Sequence, residues 1–378
     1  MNRKRDKSGR EFATAFLCLE KFLKGILSER KKREIVSMRL PEQKLVQKKM
    51  EEKQMKRKIT AFLLASCFAA FPVMGSIAAD DYAPVTITVD LERSGLGDKV
   101  EETFTEPPTR AVSISNQLTD VLLDLGLENN IIAFTHNHDV YFHDFPGRDT
   151  IPNNWIGDRK TISKEQMLSV SPDFLIGWDS TFGEDYFNRD FCESNGISMY
   201  TPYMCTDFAT FEDVYKDYET LGQIFGVEER AQERIDEMKK TIEEVHAAIG
   251  DEAYENPITI FNYDSGTDEF FTACQGLPGD IFKLAGGISI FDDVDKAWAN
   301  VSIEQVVERN PQVIICNVYA DEGDETIDFV MNNEALANVD AVVNGRVYAV
   351  NLDDLEGSCG SADMVREIAS YLYPEKFQ

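Results

Sequence analysis

The chain has 378 residues and a formal net charge of −29, from 67 Asp and Glu residues against 38 Lys and Arg. This length exceeds what one ordinary hydrophobic core supports, so two domains are expected. The charge is uneven: residues 1–79 hold 19 basic and 8 acidic residues, which leaves 19 basic and 59 acidic residues in 80–378. So acidic a surface repels nucleic-acid phosphates and anionic membranes, which argues against polynucleotide binding.

The start of the acidic part follows a segment typical of a secretory signal. Met55 opens the basic run Met-Lys-Arg-Lys, the apolar stretch Ile59–Met74 comes next, and small residues precede Asp80. A basic, an apolar and a small-residue region in this order predict a signal sequence over 55–79. We therefore expect the chain to be exported to the periplasm or the cell surface.

Two alternatives remain for how this signal ends. Cleavage after Ala78 or Ala79 fits the small residues there, whereas Leu64-Ala-Ser-Cys67 resembles a lipobox and predicts a lipid anchor on Cys67. Residues 1–54 are basic and precede a complete signal, so our hypothesis is that translation begins at Met55. This basic leader would then not belong to the true precursor.

Residues 80–106 are acidic and end at Pro107-Pro108, which predicts a flexible lead-in with one possible edge strand, Val85–Val89. From there, short apolar strands alternate with helices. The first such unit is strand Ala111–Ser115, helix Asp120–Leu127 and strand Ile131–Phe134. Apolar strands separated by helices predict parallel sheets that are covered on both faces.

The same alternation continues to the end of the chain. Further helices are expected at Lys164–Val170, Phe187–Ser194, Phe211–Phe225, Gly279–Ala285, Ser302–Arg309 and Ala362–Leu372, and further strands at Phe174–Trp178, Ile197–Tyr200, Ile258–Tyr263, Ile288–Phe291, Val313–Val318 and Val347–Asn351. One long run, 227–250, is rich in Glu, Lys, Arg and Ala and predicts a helix that connects two lobes. The fold class is thus α/β, with two three-layer (α/β/α) lobes at 107–226 and 251–378.

An internal repeat supports the two lobes. Segments 162–176 and 301–315 match position by position: each has a Ser where a helix N-cap is wanted, a Glu two residues later, and a Pro before an apolar strand. Two related α/β lobes leave a cleft between them. Ligands of such sheets bind at the carboxyl ends of the strands.

With these segments the chain resembles the periplasmic binding proteins of ABC importers for iron siderophores, haem and cobalamin. The resemblance covers roughly 107–375 and rests on Pro108–Ser115, Leu122–Ile132, the two repeated segments, Leu284–Asp293, Gly345–Val350 and Tyr371–Pro374. It implies two lobes joined by one long helix, a cleft that binds a small molecule, and no catalysis. It also implies delivery to an ABC permease in the cytoplasmic membrane, and we expect a monomer without a resident cofactor.

The resemblance further implies one acidic docking residue on each lobe. Glu165 and Glu304 occupy the matching positions and would contact basic residues of the permease. The alternative is that both glutamates only stabilise the N-termini of their helices.

Aromatic residues dominate the loops at the predicted strand ends. By resemblance to the cobalamin-binding members, Trp178, Tyr263, Phe271 and Trp298 fall where aromatic side chains wall the pocket, and Tyr319 follows another strand. Flat faces suit a macrocycle or catecholate rings, although any one of these residues could instead belong to the core. Polar candidates at strand ends are Asn116, Gln117, Asp158, Asp179, Asp264 and Asp353.

Three of the four histidines lie close together in the sequence. A bare metal cation therefore remains an alternative ligand. His136 and His138, with His143, would need a carboxylate such as Asp139 or Asp144 to hold Zn²⁺ or Mn²⁺. A single His or Tyr could also be an axial ligand to haem.

Arg159 could meet an anionic siderophore or a propionate, or could neutralise nearby acids. Overall, a ferric siderophore is the first expected ligand, then cobalamin or haem. A bare-metal binding protein is the alternative.

Five cysteines follow the signal, and disulfides are permitted outside the cytoplasm. Cys316 lies in an apolar strand and is expected to be a buried hydrophobe. Cys192 could pair with Cys205, and Cys274 with Cys359. The sequence contains no C-x-x-C pair, which is the spacing typical of a structural zinc site.

Motifs that support catalysis are absent from the sequence. There is no G-x-S-x-G, H-E-x-x-H or P-loop pattern. A secreted enzyme is therefore the less favoured reading, and binding without turnover is expected.

Overall fold

The computed structural model describes residues 82–89, 92, 97, 99–136, 143, 155–158, 161–318 and 323–377. The expected leader and signal sequence lie outside these residues, as do the site candidates His138, Arg159 and Tyr319 and the carboxylates Asp139 and Asp144. For His136 and Asp158 only the strand position is described. No helix of the described ranges is both long and apolar enough to cross a membrane.

The strands, numbered in chain order, are β1 (Val85–Val89), β2 (Val100–Phe104), β3 (Ala111–Ser113), β4 (Ile131–His136), β5 (Trp155–Asp158), β6 (Phe174–Ile176), β7 (Ser198–Tyr200), β8 (Ile258–Tyr263), β9 (Glu269–Ala273), β10 (Gly287–Ser289), β11 (Trp298–Ser302), β12 (Val313–Val318) and β13 (Val347–Asn351). The described helices are α1 (Asn116–Asp124), α2 (Lys164–Ser169), α3 (Arg189–Ser194), α4 (Phe211–Phe225), α5 (Glu228–Ile249), α6 (Asp251–Glu255), α7 (Gly276–Leu284), α8 (Ile303–Arg309), α9 (Gly323–Met331), α10 (Asp340–Val343), α11 (Leu352–Leu355) and α12 (Ser361–Leu372).

Two parallel sheets organise the chain into two lobes. The first sheet has the order β5-β4-β3-β6-β7 and the second has the order β10-β8-β12-β13. Every residue of β12 is buried, as expected for a strand with helices on both faces. The predicted α/β fold with mostly parallel sheets is confirmed.

The internal repeat corresponds to two equivalent helix starts. In α2, the Ser163 hydroxyl accepts a hydrogen bond from the Gln166 backbone N–H, and the Gln166 side chain accepts one from the Ser163 N–H. Ser302 and Gln305 form the same reciprocal pair at α8. This capping box satisfies two N–H groups that a helix start leaves unpaired, which explains the shared sequence.

Helix α5 runs between the two lobes, as predicted. Its buried residues Ala231, Ile235, Met238, Val245 and Ile249 recur at helical spacing and form one apolar face. Helix α12 packs beside α5, and Arg366 of α12 donates to Glu244 of α5 at 2.8 Å. The connector is therefore held along its length.

The segment before residue 107 contains the predicted strand Val85–Val89, which is β1, but this strand is packed on the first lobe and differs from the predicted flexible lead-in. Strands β1 and β2 pair antiparallel, and Ile87, Val89, Val100 and Phe104 are buried in the core of the first lobe. In β1 apolar residues alternate with exposed threonines, and in β2 half-buried Glu102 shares the inner face with Val100 and Phe104 while Glu101 is exposed. High acidic content alone was a poor indicator of flexibility here.

Sequence reasoning also missed a second antiparallel pair, β9 with β11. Trp298 was expected in a loop at the end of a strand, but it begins β11 and pairs with Ala273. Five-residue strands with polar residues in them give a weak periodic signal, so pairing across the chain decides their structure.

A buried ion pair anchors α5 to the first lobe. The Asp124 carboxylate is 2% exposed and accepts hydrogen bonds from Arg234 Nε at 2.8 Å and from the Tyr218 hydroxyl at 2.9 Å. Arg230 Nε donates to the Asp124 carbonyl at 3.0 Å. The carboxylate therefore depends on α5 for its counter-charge.

We predict that Arg234→Ala lowers the free energy of unfolding by about 2–4 kcal/mol, because it leaves the buried Asp124 carboxylate without its cation. Urea denaturation followed by circular dichroism measures the change. Arg189→Ala is the matched control: its ion pair with Glu193 is half exposed, and its loss costs at most about 0.5 kcal/mol. Equal losses in the two variants would contradict the prediction.

Candidate functional site

A cavity of about 390 Å³ opens between the two lobes, at the carboxyl ends of their strands. Its lining comprises Ser115, Asn116, Gln117, Trp178, Asp179, Ser180, Met204, Cys205, Thr206, Asp207, Asp264, Phe271, Gly276, Leu277, Pro278, Ala297, Trp298, Leu352, Asp353 and Glu356. Segments that follow β3, β6 and β7 supply the first lobe's side, and segments that follow β8 and β13 contribute to the other. The cavity thus lies where parallel sheets place their ligands.

Three partly exposed aromatic side chains line this cavity. The rings of Phe271 and Trp298 stack with centroids 5.4 Å apart and an interplanar angle of 17°. They come from the paired strands β9 and β11, so the sheet holds both rings in place. Trp178 is supplied by the first lobe, just after β6. Exposed ring faces of this kind bind a flat, poorly hydrated ligand surface.

Two side-chain amides lie at the start of α1, where this helix meets the cavity. Asn116 is 8% and Gln117 is 4% exposed, and neither Asn116 Oδ1 nor Gln117 Nε2 has a hydrogen-bond partner among the described residues. Ser115 caps the helix and donates from its hydroxyl to Gln117 Oε1 at 3.1 Å. Because a buried polar atom without a partner is costly, these amides are suited to hydrogen bonds with a ligand.

Acidic side chains supply all the formal charge of the lining. Asp179, Asp207, Asp264, Asp353 and Glu356 contribute five carboxyl groups, and no Lys, Arg or His is among the lining residues described above. The Asp264 carboxylate is oriented by the Asn317 amide, which donates to it at 3.1 Å. A negative cavity repels anionic ligands and attracts cations.

A buried carboxyl group holds the wall of the cavity that follows β7. Asp217 on α4 accepts hydrogen bonds from the Tyr200 hydroxyl at 2.6 Å and from the backbone N–H groups of Tyr203 and Met204, both at 2.8 Å. Burial raises the pKa of Asp217 to about 7, while its three hydrogen bonds act in the opposite direction. Asp217 thereby fixes the turn that presents Met204 and Cys205 to the cavity.

The structure brings several predicted site residues together and leaves others apart. Trp178, Phe271 and Trp298 line the cavity, as do the polar candidates Asn116, Gln117, Asp179, Asp264 and Asp353. Tyr263 does not: it is 6% exposed, packs against Phe270 and Phe329, and donates its hydroxyl hydrogen to the Gly266 carbonyl at 2.9 Å. The structure therefore places Tyr263 in the core, which is the alternative that the sequence left open for each of these aromatic residues.

Neither predicted disulfide is present. No disulfide joins Cys192 to Cys205 or Cys274 to Cys359 among the described residues. Cys192 and Cys274 each direct the thiol to a nearby carbonyl, that of Phe187 at 3.2 Å and that of Thr272 at 3.9 Å. Burial raises the pKa of the Cys274 thiol to about 11, which makes it unreactive. Cysteine count and compartment permitted disulfides but could not show which thiols meet.

Sequence reasoning missed part of the lining. Asp207 and Glu356 follow β7 and β13, and the rule that ligands meet the carboxyl ends of strands could have found them. The segment Gly276–Pro278 is different, because it begins α7 and follows an antiparallel strand. Gly276 adopts φ +69° there, a conformation that favours glycine. Only the tertiary fold brings this turn to the cavity.

Comparison with known proteins supports the same class. Residues 112–351 match the profile of the family described as periplasmic binding protein. A vitamin B12-binding protein of Vibrio cholerae is 25% identical over 268 residues, which are 70% of this chain and 90% of that protein. Among solved structures, a periplasmic binding protein from Veillonella parvula is 27% identical, with a TM-score of 0.69, and covers 77% of this chain and 99% of its own.

A second solved structure, of an ABC-type Fe³⁺-hydroxamate transport system from Saccharomonospora viridis, is 21% identical and has a TM-score of 0.64. It covers 77% of this chain and 99% of its own. With two lobes, a cavity at the strand ends and this match, the chain belongs to the periplasmic binding protein family.

We predict that Asp217 makes stability depend on pH. The folded-state pKa of about 7 lies above that of an unfolded aspartate, about 3.9, so the native chain retains this proton over the interval. The free energy of unfolding therefore falls as pH rises from about 4 to about 7, by at most about 1.4 kcal/mol per pH unit from this group.

Asp217→Asn removes the titrating group, and urea denaturation at a series of pH values should show a shallower fall than in the parent chain. Glu219→Gln, an exposed change on the same helix, should leave the slope as it was. An unchanged slope in Asp217→Asn would refute the assignment.

Proposed function

We propose that the chain is the extracytoplasmic substrate-binding component of an ABC importer, and that it captures an uncharged or cationic metal chelate. The family supports the general role, and the name of the Vibrio cholerae relative supports a chelate of this size and kind. The cavity volume is within the range of small-molecule sites. The chain takes the role of a binding protein without turnover.

The observation that carries this proposal is the chemistry of the cavity lining. Stacked aromatic faces from Phe271 and Trp298 favour a broad, flat ligand, and the amides of Asn116 and Gln117 favour a ligand with polar edges. Cobalamin offers both features through its flat corrin and its amide side chains, and a ferric hydroxamate chelate offers the polar edges. The name of the Saccharomonospora viridis system supports a ferric hydroxamate chelate.

The carboxylates decide between chelates of different charge. A ferric tris-catecholate carries three negative charges, and haem carries two propionates. Each would approach the five acidic side chains of the cavity lining. Two like charges 4 Å apart repel by about 1–4 kcal/mol, depending on the solvent exposure of the pair. Among the siderophores, haem and cobalamin expected from the sequence, this disfavours catecholates and haem.

We expect the purified chain to bind cyanocobalamin or a neutral ferric trihydroxamate at least about 100-fold more tightly than a ferric tris-catecholate, as judged by quenching of tryptophan fluorescence. Trp298→Ala should weaken binding of the preferred chelate by about tenfold or more, because a stacking face is lost. Tyr186→Ala, an exposed aromatic change outside the cavity lining, is the control.

Reversing the charge of one acidic lining residue tests the electrostatic part of the proposal more directly. Asp207→Lys should improve binding of the anionic catecholate by about tenfold, while Glu219→Lys, the same change away from the cavity lining, should not. Equal affinity of the parent chain for anionic and neutral chelates would refute the proposal.

The docking of the permease forms a separate part of the proposal. Glu165 and Glu304 are exposed and occupy the same position in the first turns of α2 and α8. Hydrogen bonds with their own backbone and with the cap serine lower the pKa of both side chains, which keeps them ionised. Two equivalent negative charges, one on each lobe, fit a pair of basic patches on a dimeric permease.

The double variant Glu165→Lys with Glu304→Lys should lose uptake in cells, since both contacts become repulsive, while its ligand affinity stays unchanged. Glu229→Lys with Glu252→Lys reverses the same number of exposed charges elsewhere and should keep uptake. Loss of affinity in the docking variant, or loss of uptake in both, would contradict this role.

A further inference from the structure

A second group of polar side chains lies one helical turn from the cavity. It consists of Asp120 on α1, His143, Asp354 on α11 and Cys359, and is called the Asp120 cluster below. One ligand atom from each of Asp120, His143 and Cys359 lies within 4.8 Å of the other two. His143 Nε2 is 4.0 Å from Asp120 Oδ2 and 2.8 Å from Asp354 Oδ1.

Asp120 has an unsatisfied oxygen in this cluster. The residue is 2% exposed, and its Oδ1 atom has no hydrogen-bond partner among the described residues. Its Oδ2 atom accepts a long hydrogen bond from the His143 backbone N–H at 3.3 Å. Burial raises the pKa of Asp120 to about 8, and the neighbouring Asp353 and Asp354 act in the same direction. A buried cation would offset this cost.

Asp354 is held in position by its own loop. It accepts hydrogen bonds from the Ser358 hydroxyl and from Asn351 Nδ2, the latter at 3.2 Å. Gly360 allows the close approach, because a Cβ atom there would lie 2.4 Å from Asp354 Oδ1. The same loop places Cys359, a half-buried free thiol, beside the cluster. Such support from neighbouring groups is typical of metal ligands.

We propose that the Asp120 cluster is a binding site for a divalent transition-metal ion of the Zn²⁺ class, with Asp120, His143, Asp354 and Cys359 as ligands. One thiolate, one imidazole and two carboxylates match the ligand preferences of Zn²⁺ and complete a tetrahedral set. The ion takes the place of the proton between His143 Nε2 and Asp354 Oδ1.

Asp120, His143 and Cys359 already present ligand atoms within 4.8 Å of one another, whereas Asp354 lies outside that group, contacts His143 and must turn its carboxylate toward the other two ligands. Ligand atoms in a tetrahedral Zn²⁺ site are about 3.3–3.7 Å apart, given bonds of about 2.0–2.3 Å. The 4.0 Å separation of His143 Nε2 and Asp120 Oδ2 must therefore shrink by about half an ångström, and the 2.8 Å contact must widen by a similar amount. Binding releases protons from Asp120 and Cys359 and the proton shared by His143 and Asp354, so affinity rises with pH.

The site would connect the two lobes beside the ligand cavity. Asp120 belongs to the first lobe, whereas Asp354 and Cys359 belong to the second. Asn116 and Asp353, which neighbour these ligands on α1 and α11, line the cavity. A bound ion would thus fix the relative position of two cavity walls and change ligand affinity through that coupling. The proposal is independent of which chelate the cavity captures.

Cobalt titration of the full chain, freed of metal with a chelator, tests the site. We expect one Co²⁺ per chain, with a thiolate-to-cobalt charge-transfer absorption in the near ultraviolet and the intense visible bands of tetrahedral coordination. Zn²⁺ should displace the cobalt and remove both signals. A chain that shows no charge-transfer band, or octahedral cobalt only, would overturn the proposal, and this readout needs no variant to fold.

Variants then locate the ion. Cys359→Ser should abolish the charge-transfer band, and Asp120→Asn should weaken Zn²⁺ binding by about tenfold or more in calorimetry. His246→Gln is the matched control, because His246 and Asp251 form an exposed pair 3.3 Å apart on the surface. Unchanged spectra in Cys359→Ser, or loss of binding in His246→Gln, would place the ion elsewhere and refute the site.

Discussion

Parallel pairing of strands is the constraint on which the remaining structure depends. Because neighbouring strands run in the same direction, all carboxyl ends of a sheet meet at one edge, and helices must return the chain along both faces. In this protein the sheets β5-β4-β3-β6-β7 and β10-β8-β12-β13 both obey this rule. Their carboxyl edges contribute to one cavity, so binding residues far apart in the chain become neighbours.

The connection between the lobes is the second determinant. Helix α5 is fixed to the first lobe through the buried Asp124 carboxylate and lies beside α12 of the second. Further contacts cross the lobes near the cavity: the Asp280 carboxylate accepts a hydrogen bond from the Phe211 N–H at 2.8 Å and so caps α4. With a helical connector and these contacts, the cavity is largely preformed, which reduces the entropic cost of ligand capture.

The two binding sites that we propose differ in the electrostatic environment of their carboxyl groups. In the cavity, carboxylates such as Asp207 surround exposed aromatic faces, so charge selects among chelates while stacking supplies affinity. In the Asp120 cluster the acids are buried, and burial raises the pKa of Asp120 to about 8. Similar residue types therefore serve different chemistry according to their burial.

The sequence by itself determined the fold class, most strands and helices, and the equivalent positions of Glu165 and Glu304. These features are local: apolar runs, helix caps and the internal repeat are read from neighbouring residues. Through the resemblance to the cobalamin-binding members it also indicated Trp178, Phe271 and Trp298, which line the cavity.

Only the tertiary structure decided that Tyr263 belongs to the core, that no disulfide joins Cys192 and Cys205, and that β1 and β2 pack on the first lobe. It also decided that His143 meets Asp120 and Asp354. These outcomes depend on which distant segments come into contact. Contacts of that kind are set by the packing of whole elements, and no local pattern of residues encodes them.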